Sequence, residues 1–471
     1  MQILPFRYLL LSLLFLSFTV LAQPTVPLPL GADGLQPQAL SSPPTRELAP
    51  STTPSRINEL AQPRLPSSSM GLPGSGTFLT IEELQRLGLQ ANGLVQAARS
   101  QVDMAKAGVV AASAFLNPEV TVQAGPDNNR LPGIITGPSS MQRSITVNQP
   151  IENPFMRSAR IGASEAIVDA SRASFDQVRA DLAALLRVRA YELLLRQEQA
   201  DMEQGIYDLL NNVRRRIAVN VEKGELARFE LIRADTEVQS AANRKEAAQL
   251  TVERARIALM QLTAGAIPVN FEINASLRNP VNLPPLETLR QEVPIVNPDV
   301  VRLQAEQERA NLRISQEKAS ILPQLNVLYT NYQDAQFTSN IAGMSVRIPI
   351  FYRRRGEIDT AIYDSARIRE TLEYRRYEIS QLFESAWQML QIAQRRVDMF
   401  EGGLIKEAEN AVKVAEAAYK FGERGLIEFL DTQRILRGIL SDSLLARFDL
   451  QSAAAEIDRL RAHYPKELLV E

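Results

Sequence analysis

The chain has 471 residues, enough for two or three domains of roughly 150 residues each, and its 52 basic and 54 acidic residues leave a formal charge of −2. It has no cysteine and a single histidine, His463, which excludes a disulfide framework, a thiolate nucleophile, Cys-ligated zinc and a histidine-cluster metal site. The near-neutral charge argues against a nucleic-acid binder, because such proteins need a basic face.

The N-terminus has the pattern of a secretory signal peptide. An apolar run ends at Val20, and Val20 and Ala22 place small residues at the −3 and −1 positions of a cleavage site. We therefore predict a signal peptide over 1–22 and no transmembrane helix in the mature chain. An uncleaved anchor is the alternative, but the run is shorter than the about 20 residues that a spanning helix needs. Residues 23–77 are rich in proline and serine and predict a disordered leader, because they bury little apolar surface.

Proline placement and recurring motifs indicate a duplicated unit. No proline occurs between Pro154 and Pro268 or between Pro349 and Pro465. This permits very long helices, because an interior proline costs a helix about 3 kcal/mol. Short motifs recur at a nearly constant spacing: Asn92-Gly93 with Asn297-Pro298, Asn117-Pro118-Glu119-Val120 with Leu322-Pro323-Gln324-Leu325, Pro150-Ile151 with Pro349-Ile350, and Lys223-Gly224-Glu225 with Phe421-Gly422-Glu423. We predict two repeats, 78–280 and 281–471.

Each repeat is predicted to contain a helix, a strand, a loop, a strand, a long helix, a tight turn and a second long helix. The first helix opens with a capping-box pattern at Thr80. The strands alternate apolar and polar residues, and their length of eight to about ten residues suits a strand that crosses a bilayer. The apolar positions are Val120, Val122, Ala124, Ile145, Val147, Leu325, Val327, Tyr329, Met344, Val346, Ile348 and Ile350. Phe155, Phe351 and Tyr352 follow the strand ends, where an interfacial aromatic girdle would lie.

The predicted helices are unusually long. A helix from Arg157 to about Asn220 would span about 95 Å. A heptad seam runs through Leu404, Ala408, Ala411, Ala415 and Ala418. Four strands cannot close a barrel, since about eight is the smallest useful number, so membrane strands would require oligomerisation. Three copies would supply twelve strands.

These features together resemble the outer-membrane efflux protein (TolC) family, closest to its cobalt–zinc–cadmium efflux branch. The resemblance is carried by the strand entry at 117–120, by Gln149-Pro150-Ile151-Glu152 leading to Arg157-Ser158-Ala159-Arg160-Ile161, and by the two Gly-Glu turns. It covers about 78–471. The family implies a mainly α fold with a membrane β-barrel: four transmembrane strands and long coiled-coil helices per chain, and a homotrimer with a 12-stranded β-barrel and an α-helical barrel.

The same resemblance implies function, location and partners. The chain would be a passive exit duct of a tripartite efflux or type I secretion system, located in the outer membrane, extending into the periplasm and contacting outer-membrane lipid. A periplasmic adaptor would dock it to an inner-membrane pump of the RND or ABC type. No nucleic acid, metal or other cofactor is implied, and the duct would not be an enzyme. Many members carry a lipidated cysteine, which this sequence lacks. The transported substrate stays open among metal ions, drugs and secreted proteins.

The family also implies a gate at the periplasmic tips of the hairpins, here near 220–230 and 419–431. In the second tip, Glu428 and Asp431 match the gate segment and would form acidic rings that attract cations. Tyr419 and Arg424 would tie this hairpin to Glu230 on the neighbouring one. Gly224 and Gly422 would form the two tip turns. Without the family resemblance, the charged residues of this set would be interpreted as solvated groups near a helix end.

The main alternative is a periplasmic adaptor or a coiled-coil interaction protein. Adaptors have one hairpin between β-rich halves, whereas this sequence predicts two equivalent hairpins, each preceded by a strand pair. A secreted hydrolase is disfavoured, because no residues suggest a catalytic constellation.

Overall fold

The computed structural model describes residues 77–126, 141–334 and 337–465. All of them belong to one compact unit, Ser68–Glu471. The predicted signal peptide and leader lie outside the described residues, apart from Thr77, which begins the first strand. Among the described residues, none of the helices combines the length and the apolar composition needed to cross a membrane.

The first half of the chain ends in a long helical hairpin. In chain order its elements are β1 (Thr77–Leu79), α1 (Ile81–Ala91), α2 (Gly93–Ser113), β2 (Glu119–Pro126), β3 (Met141–Ile151), α3 (Pro154–Glu222), α4 (Arg228–Leu262) and β4 (Phe271–Ile273). The helix α3 has 69 residues, about 100 Å at 1.5 Å per residue. Thr80 caps α1 by accepting a hydrogen bond from the Glu83 N–H, which confirms the predicted helix start.

The second half repeats this order. Its elements are α5 (Leu286–Val296), α6 (Pro298–Ala319), β5 (Gln324–Gln333), β6 (Thr338–Arg347), α7 (Arg355–Met399), α8 (Ile405–Lys420) and α9 (Leu426–Leu460). A kink over Phe400–Leu404, with Gly403 at φ 139°, separates α7 from α8. The position of α3 in the first half is therefore taken by two helices here.

The four long strands form one antiparallel sheet in the order β2-β3-β5-β6. The register places Val122 opposite Ile145, Val147 opposite Tyr329, and Val327 opposite Met344. The predicted apolar positions within the strands therefore share one face, while Thr146 and Thr330 join their hydroxyls on the other at 3.0 Å. Many of the apolar side chains are exposed. Within the described chain, the outer edges of β2 and β6 pair with no other strand.

Three buried clusters hold the helices together. The first joins α1, the middle of α3 and the strand β4, and includes Leu84, Leu186 and Phe271. The second joins α5 and α6 to α7 and α9 around Val293 and Phe383. The third lies between the two hairpins, towards their tips.

The structure differs from the sequence expectations in four places. The first helix of each repeat is broken in two, at Asn92 and at Asn297, which cap α2 and α6. A small parallel sheet of β1 and β4 was not predicted. The strand β6 ends at Arg347, so the alternation expected to continue to Ile350 stops early. In α8, Val412 is buried and Ala411 is exposed, so the buried stripe runs through Ala408 and Val412 instead of the predicted Ala411.

The two breaks are built alike. Asn92 donates to the Leu262 carbonyl at the end of α4, and Asn297 donates to the Leu460 carbonyl at the end of α9, at 2.9 and 2.8 Å. Each side-chain oxygen also accepts from a backbone N–H two residues further on. Each asparagine thus caps the start of one helix, α2 or α6. Its amide also holds the last turn of a hairpin helix, α4 or α9, against that helix start.

Candidate functional site at the hairpin tips

Both hairpins turn through a glycine in the left-handed region. Gly224 has φ 75° and Gly422 has φ 76°, a conformation that costs a residue with a β-carbon about 1 kcal/mol or more. The Glu225 N–H donates to the Asn220 carbonyl at 2.8 Å, and the Glu423 N–H donates to the Ala418 carbonyl at 2.9 Å. The two turns therefore end α3 and α8 in the same way and reverse the chain within a few residues.

The tip of the second hairpin rests on the first. Phe429, at the start of α9, is fully buried among side chains from both hairpins. Its ring stacks on that of Tyr419, with centroids 6.1 Å apart and planes 14° apart. The other buried members of this cluster are Leu210, Val213, Ile217, Ala234, Ala241, Val412, Leu426 and Leu430. Apolar packing thus holds the two tips together.

The two acidic residues predicted to form rings lie in the first two turns of α9. The side chains of Glu428 and Asp431 are 53% and 57% exposed. Arg424 donates to Glu428 at 2.8 Å, and Arg434 donates to Asp431 at 3.0 Å. Pairs this exposed stabilise a helix only weakly, so both carboxylates remain available to the solvent around the tip.

Of the three residues predicted to tie the hairpins, Tyr419 and Glu230 interact through charge. Tyr419 has its pKa raised by burial and, to a smaller extent, by the negative charge of Glu230 on α4. One carboxylate oxygen of Glu230 is buried and has no hydrogen-bond partner among the described residues. Arg424 lies in the turn before α9 and is paired with Glu428 of the same hairpin instead of with Glu230. Of the predicted tie, only the effect of the Glu230 charge on the pKa of Tyr419 is present in this chain.

An open groove of about 430 Å³ lies between the two tips. Charged groups of both signs line it, among them Arg216 and Lys420, beside Glu225 and Glu416. Within the described ranges no three His, Cys, Asp or Glu side chains converge to hold a metal ion. The tip therefore offers solvated charge of both signs beside a packed apolar contact between the hairpins.

The sequence did not point to a set of ion pairs that joins the hairpins further from the tip. Arg434 on α9 donates to Glu237 on α4, and Arg437 on α9 donates to Glu203 on α3 at 3.4 Å. Arg244 on α4 reaches the same Glu203 carboxylate at 3.3 Å. Arg434 and Glu237 are 197 residues apart in the chain. No local spacing rule connects residues so distant, and a single sequence gives no other signal for them.

Comparisons with family models, with known sequences and with solved structures all find outer-membrane efflux proteins or their relatives. A family model described as outer membrane efflux protein matches residues 85–265 and 289–463. The cobalt-zinc-cadmium resistance protein CzcC of Cupriavidus metallidurans is 24% identical over 384 residues, covering 81% of this chain and 90% of that protein. The nickel-cobalt-cadmium resistance protein NccC of Alcaligenes xylosoxydans xylosoxydans is 28% identical over 307 residues, covering 64% and 68%. The solved structure of CusC, which forms a transmembrane channel, has the same fold, with a TM-score of 0.69 at 14% identity over 83% of this chain and 95% of CusC.

Proposed function

The chain belongs to the outer membrane efflux protein family, and we propose that it forms the trimeric outer-membrane exit channel of a tripartite efflux system. A periplasmic adaptor docks this channel to an inner-membrane pump of the RND or ABC type, and the pump delivers the cargo. Members of the family are efflux channels, and the chain is not an enzyme. The energy for transport comes from the pump, while the channel supplies a path and a gate.

The four-stranded sheet is the observation that carries the proposal. Its strands have 8 to 11 residues, close to the length that crosses a bilayer. One face is apolar and exposed, and the outer edges of β2 and β6 pair with no other described strand. Unpaired backbone groups cannot face lipid, because each costs several kcal/mol there. Joining the edges of three copies removes them and closes a barrel of twelve strands.

The long hairpins supply the periplasmic part of the channel. At about 100 Å, α3 is far longer than the bilayer is thick. Twelve helical segments from three copies would extend the barrel as a tube away from the membrane. The tips, where the adaptor would dock, then form the end of the tube distant from the barrel.

The gate of this channel is the second tip. In a trimer, Glu428 and Asp431 of the three copies face one another as two acidic rings. Rings of carboxylates attract cations into a narrow pore and bind multivalent cations most strongly. Tyr419 and Glu230, which interact through charge, would keep the second hairpin against the first while the gate is closed.

A single-channel experiment tests the gate. We expect Glu428→Ser combined with Asp431→Ser to raise conductance in planar bilayers and to weaken block by multivalent cations, because the rings lose both bulk and charge. The matched control is Glu222→Ser with Glu225→Ser, which removes two exposed carboxylates from the first tip. Unchanged conductance and block in the first variant, or an equal change in the control, would remove the gate assignment.

Fractionation separates this proposal from the alternative of a periplasmic adaptor. We expect the native protein in the outer membrane, and a trimer mass after extraction in mild detergent. A soluble periplasmic species or an inner-membrane protein would contradict the channel and favour the adaptor.

The cargo follows from the relatives. CzcC and NccC are named for resistance to cobalt, zinc, cadmium and nickel, and we propose divalent metal cations as the cargo. The acidic rings suit cations of this kind. Deleting the gene should make cells more sensitive to these metals and leave drug sensitivity unchanged. Sensitivity to drugs alone would contradict the metal cargo but not the channel.

A further inference from the structure

The two junctions between strand and long helix are built differently in the two halves of the chain. At the first junction, between β3 and α3, Glu152 is 3% exposed and pairs with Arg160 through both carboxylate oxygens. Asn153 caps α3 by accepting from the Phe155 N–H at 2.9 Å, and its amide donates to the Ala319 carbonyl at 3.0 Å. The polar side chains of this junction are therefore used within the chain.

The second junction, between β6 and α7, turns its side chains outwards. Ile348 and Ile350 are 61% and 69% exposed, and Phe351 is fully exposed. Tyr352 is 58% exposed, and its hydroxyl donates to Glu357 in the first turn of α7 at 2.6 Å. Large apolar and aromatic side chains exposed in one short segment mark a surface that contacts a protein or a membrane.

Three arginines follow, and the chain itself holds only the middle one. Arg354 donates to Glu317 on α6 at 2.6 Å. Arg353 is exposed and forms no ion pair within the part of the chain that the structure describes. The side chain of Arg355 is 90% exposed, and its ion pair there, with Asp359, is 3.7 Å long. A pair this exposed contributes little, so the guanidinium groups of Arg353 and Arg355 remain available to a ligand.

The order of side chains along this segment matches the layers of a membrane surface. From β6 towards α7 the chain presents isoleucines, then a phenylalanine and a tyrosine, then the arginines. In a bilayer the same direction leads from hydrocarbon, through the interface that aromatic rings prefer, to the phosphates of the head groups. Phe351, Tyr352, Arg353 and Arg355 are called the junction patch below.

The charge of the segment determines which lipids it suits. Residues 344–356 contain four arginines and neither aspartate nor glutamate. A planar guanidinium binds a phosphate through two hydrogen bonds, and two such groups add a long-range attraction for negative charge. A zwitterionic head group carries an ammonium that opposes this attraction, whereas an anionic head group does not. The patch is therefore complementary to anionic phospholipids.

We propose that the junction patch binds the head groups of anionic phospholipids in the periplasmic leaflet of the outer membrane, with Arg353 and Arg355 contacting the phosphates and the two rings lying at the interface. This proposal rests on the proposed function, because it requires the four-stranded sheet to lie in a membrane. Three copies would place three such patches around the barrel. They would fix its depth in the bilayer at the level where the helices begin.

Quenching of tryptophan fluorescence by brominated lipids measures this contact in the full-length trimer, reconstituted into bilayers. Phe351→Trp introduces a reporter at a fully exposed position, where no packing is lost. The native Trp387 lies on α7 about 48 Å beyond Arg355, outside the bilayer, and supplies an unquenched background. We expect brominated phosphatidylglycerol to quench the reporter at a lower lipid fraction than brominated phosphatidylcholine does.

Removing the two arginines tests their role. In the reporter background, Arg353→Gln with Arg355→Gln should reduce the preference for phosphatidylglycerol by about fivefold for each arginine at low salt. The matched control is Arg376→Gln with Arg395→Gln, which removes two exposed arginines from α7 further from the sheet. We expect the control to keep the full preference. Added sodium chloride should weaken the preference, because it screens exposed charges.

A second reporter separates this proposal from the proposed function. Met344→Trp lies on the apolar face of β6, at a position that is 70% exposed. If brominated lipids quench neither reporter, the sheet is not in a bilayer and the proposed function fails. If they quench Met344→Trp but not Phe351→Trp, the lipid contact is overturned and the barrel stands.

Three further results would also overturn the lipid contact and leave the barrel in place. The first is equal quenching of Phe351→Trp by the two lipids, or an unchanged preference after loss of Arg353 and Arg355. The second is an equal loss in the α7 control, because the effect would then follow net charge and not position. The third is loss of the preference in inorganic phosphate but not in sodium chloride of the same ionic strength, which would assign the arginines to a soluble anion.

Discussion

The asparagine that divides α5 from α6 offers a sharp test of how the fold is held. Asn297 is 3% exposed. Its oxygen accepts from the Asp299 N–H at 3.1 Å, and its amide donates to the Leu460 carbonyl at 2.8 Å. In Asn297→Ala, loss of the helix cap costs about 1 kcal/mol. Leaving a buried carbonyl unpaired costs about 1–3 kcal/mol more. We expect a total loss of about 2–4 kcal/mol.

The equivalent residue in the first half should matter less. Asn92 makes the same two bonds, to the Leu94 N–H and the Leu262 carbonyl, both at 2.9 Å. It is 9% exposed and only partly enclosed, so water can replace part of what Asn92→Ala removes. We expect a loss of about 1–2 kcal/mol, mostly the cap. The ranking of the two variants is therefore a stronger prediction than either value.

Thermal unfolding of the detergent-solubilised protein, followed by far-ultraviolet circular dichroism, measures both variants. A loss of 1 kcal/mol lowers the midpoint by about 2–4 °C in a domain of 150–250 residues and by less in a longer chain, so we expect a fall of a few degrees for Asn297→Ala. Asn243→Ala, at an exposed position within α4, controls for removal of an asparagine and should not lower the midpoint. A midpoint for Asn297→Ala equal to wild type, or lower for Asn92→Ala than for Asn297→Ala, would refute this reasoning.

Two further predictions concern the helices. Gly205→Ala should stabilise the protein by up to about 1 kcal/mol, because the site is helical and open. Gly403→Ala should destabilise it by about 1–3 kcal/mol, because φ is 139°. Midpoints that move in the same direction would contradict the backbone geometry at one of these two glycines. Burial raises the pKa of the Asp299 carboxyl, but hydrogen bonds from Arg302 and Arg375 outweigh it, so the pKa lies below its ordinary value. A depressed folded-state pKa contributes stability above the unfolded-state value of about 3.9, and this stability is lost as the pH falls through the folded-state value. Asp299→Asn should therefore lower the midpoint at pH 7, and its difference from wild type should shrink as the pH falls below the unfolded-state value of about 3.9. A difference that does not shrink with falling pH would contradict this pairing.

Much of the architecture was predictable because it is encoded in short-range patterns. Long stretches without proline indicated the hairpin helices, and strict alternation indicated strands with one apolar face. The glycines at 224 and 422 indicated tight turns, because few other residues adopt the backbone geometry found there. Belonging to the efflux family was predicted from the order and spacing of these same motifs, and the family model confirms it.

Other features could not be predicted, because they depend on residues that meet only in the folded chain. Arg434 has an acidic neighbour three positions away in Asp431, which a spacing rule finds, but its partner Glu237 is on another hairpin. The seam of α8 is a second example: heptad spacing assigns Ala411, but packing against the neighbouring helices buries Val412. Sequence periodicity determined the long helices and the four long strands. Tertiary packing decided where the helices break and which charges meet, because those choices depend on partners 163 to 234 residues away in the chain.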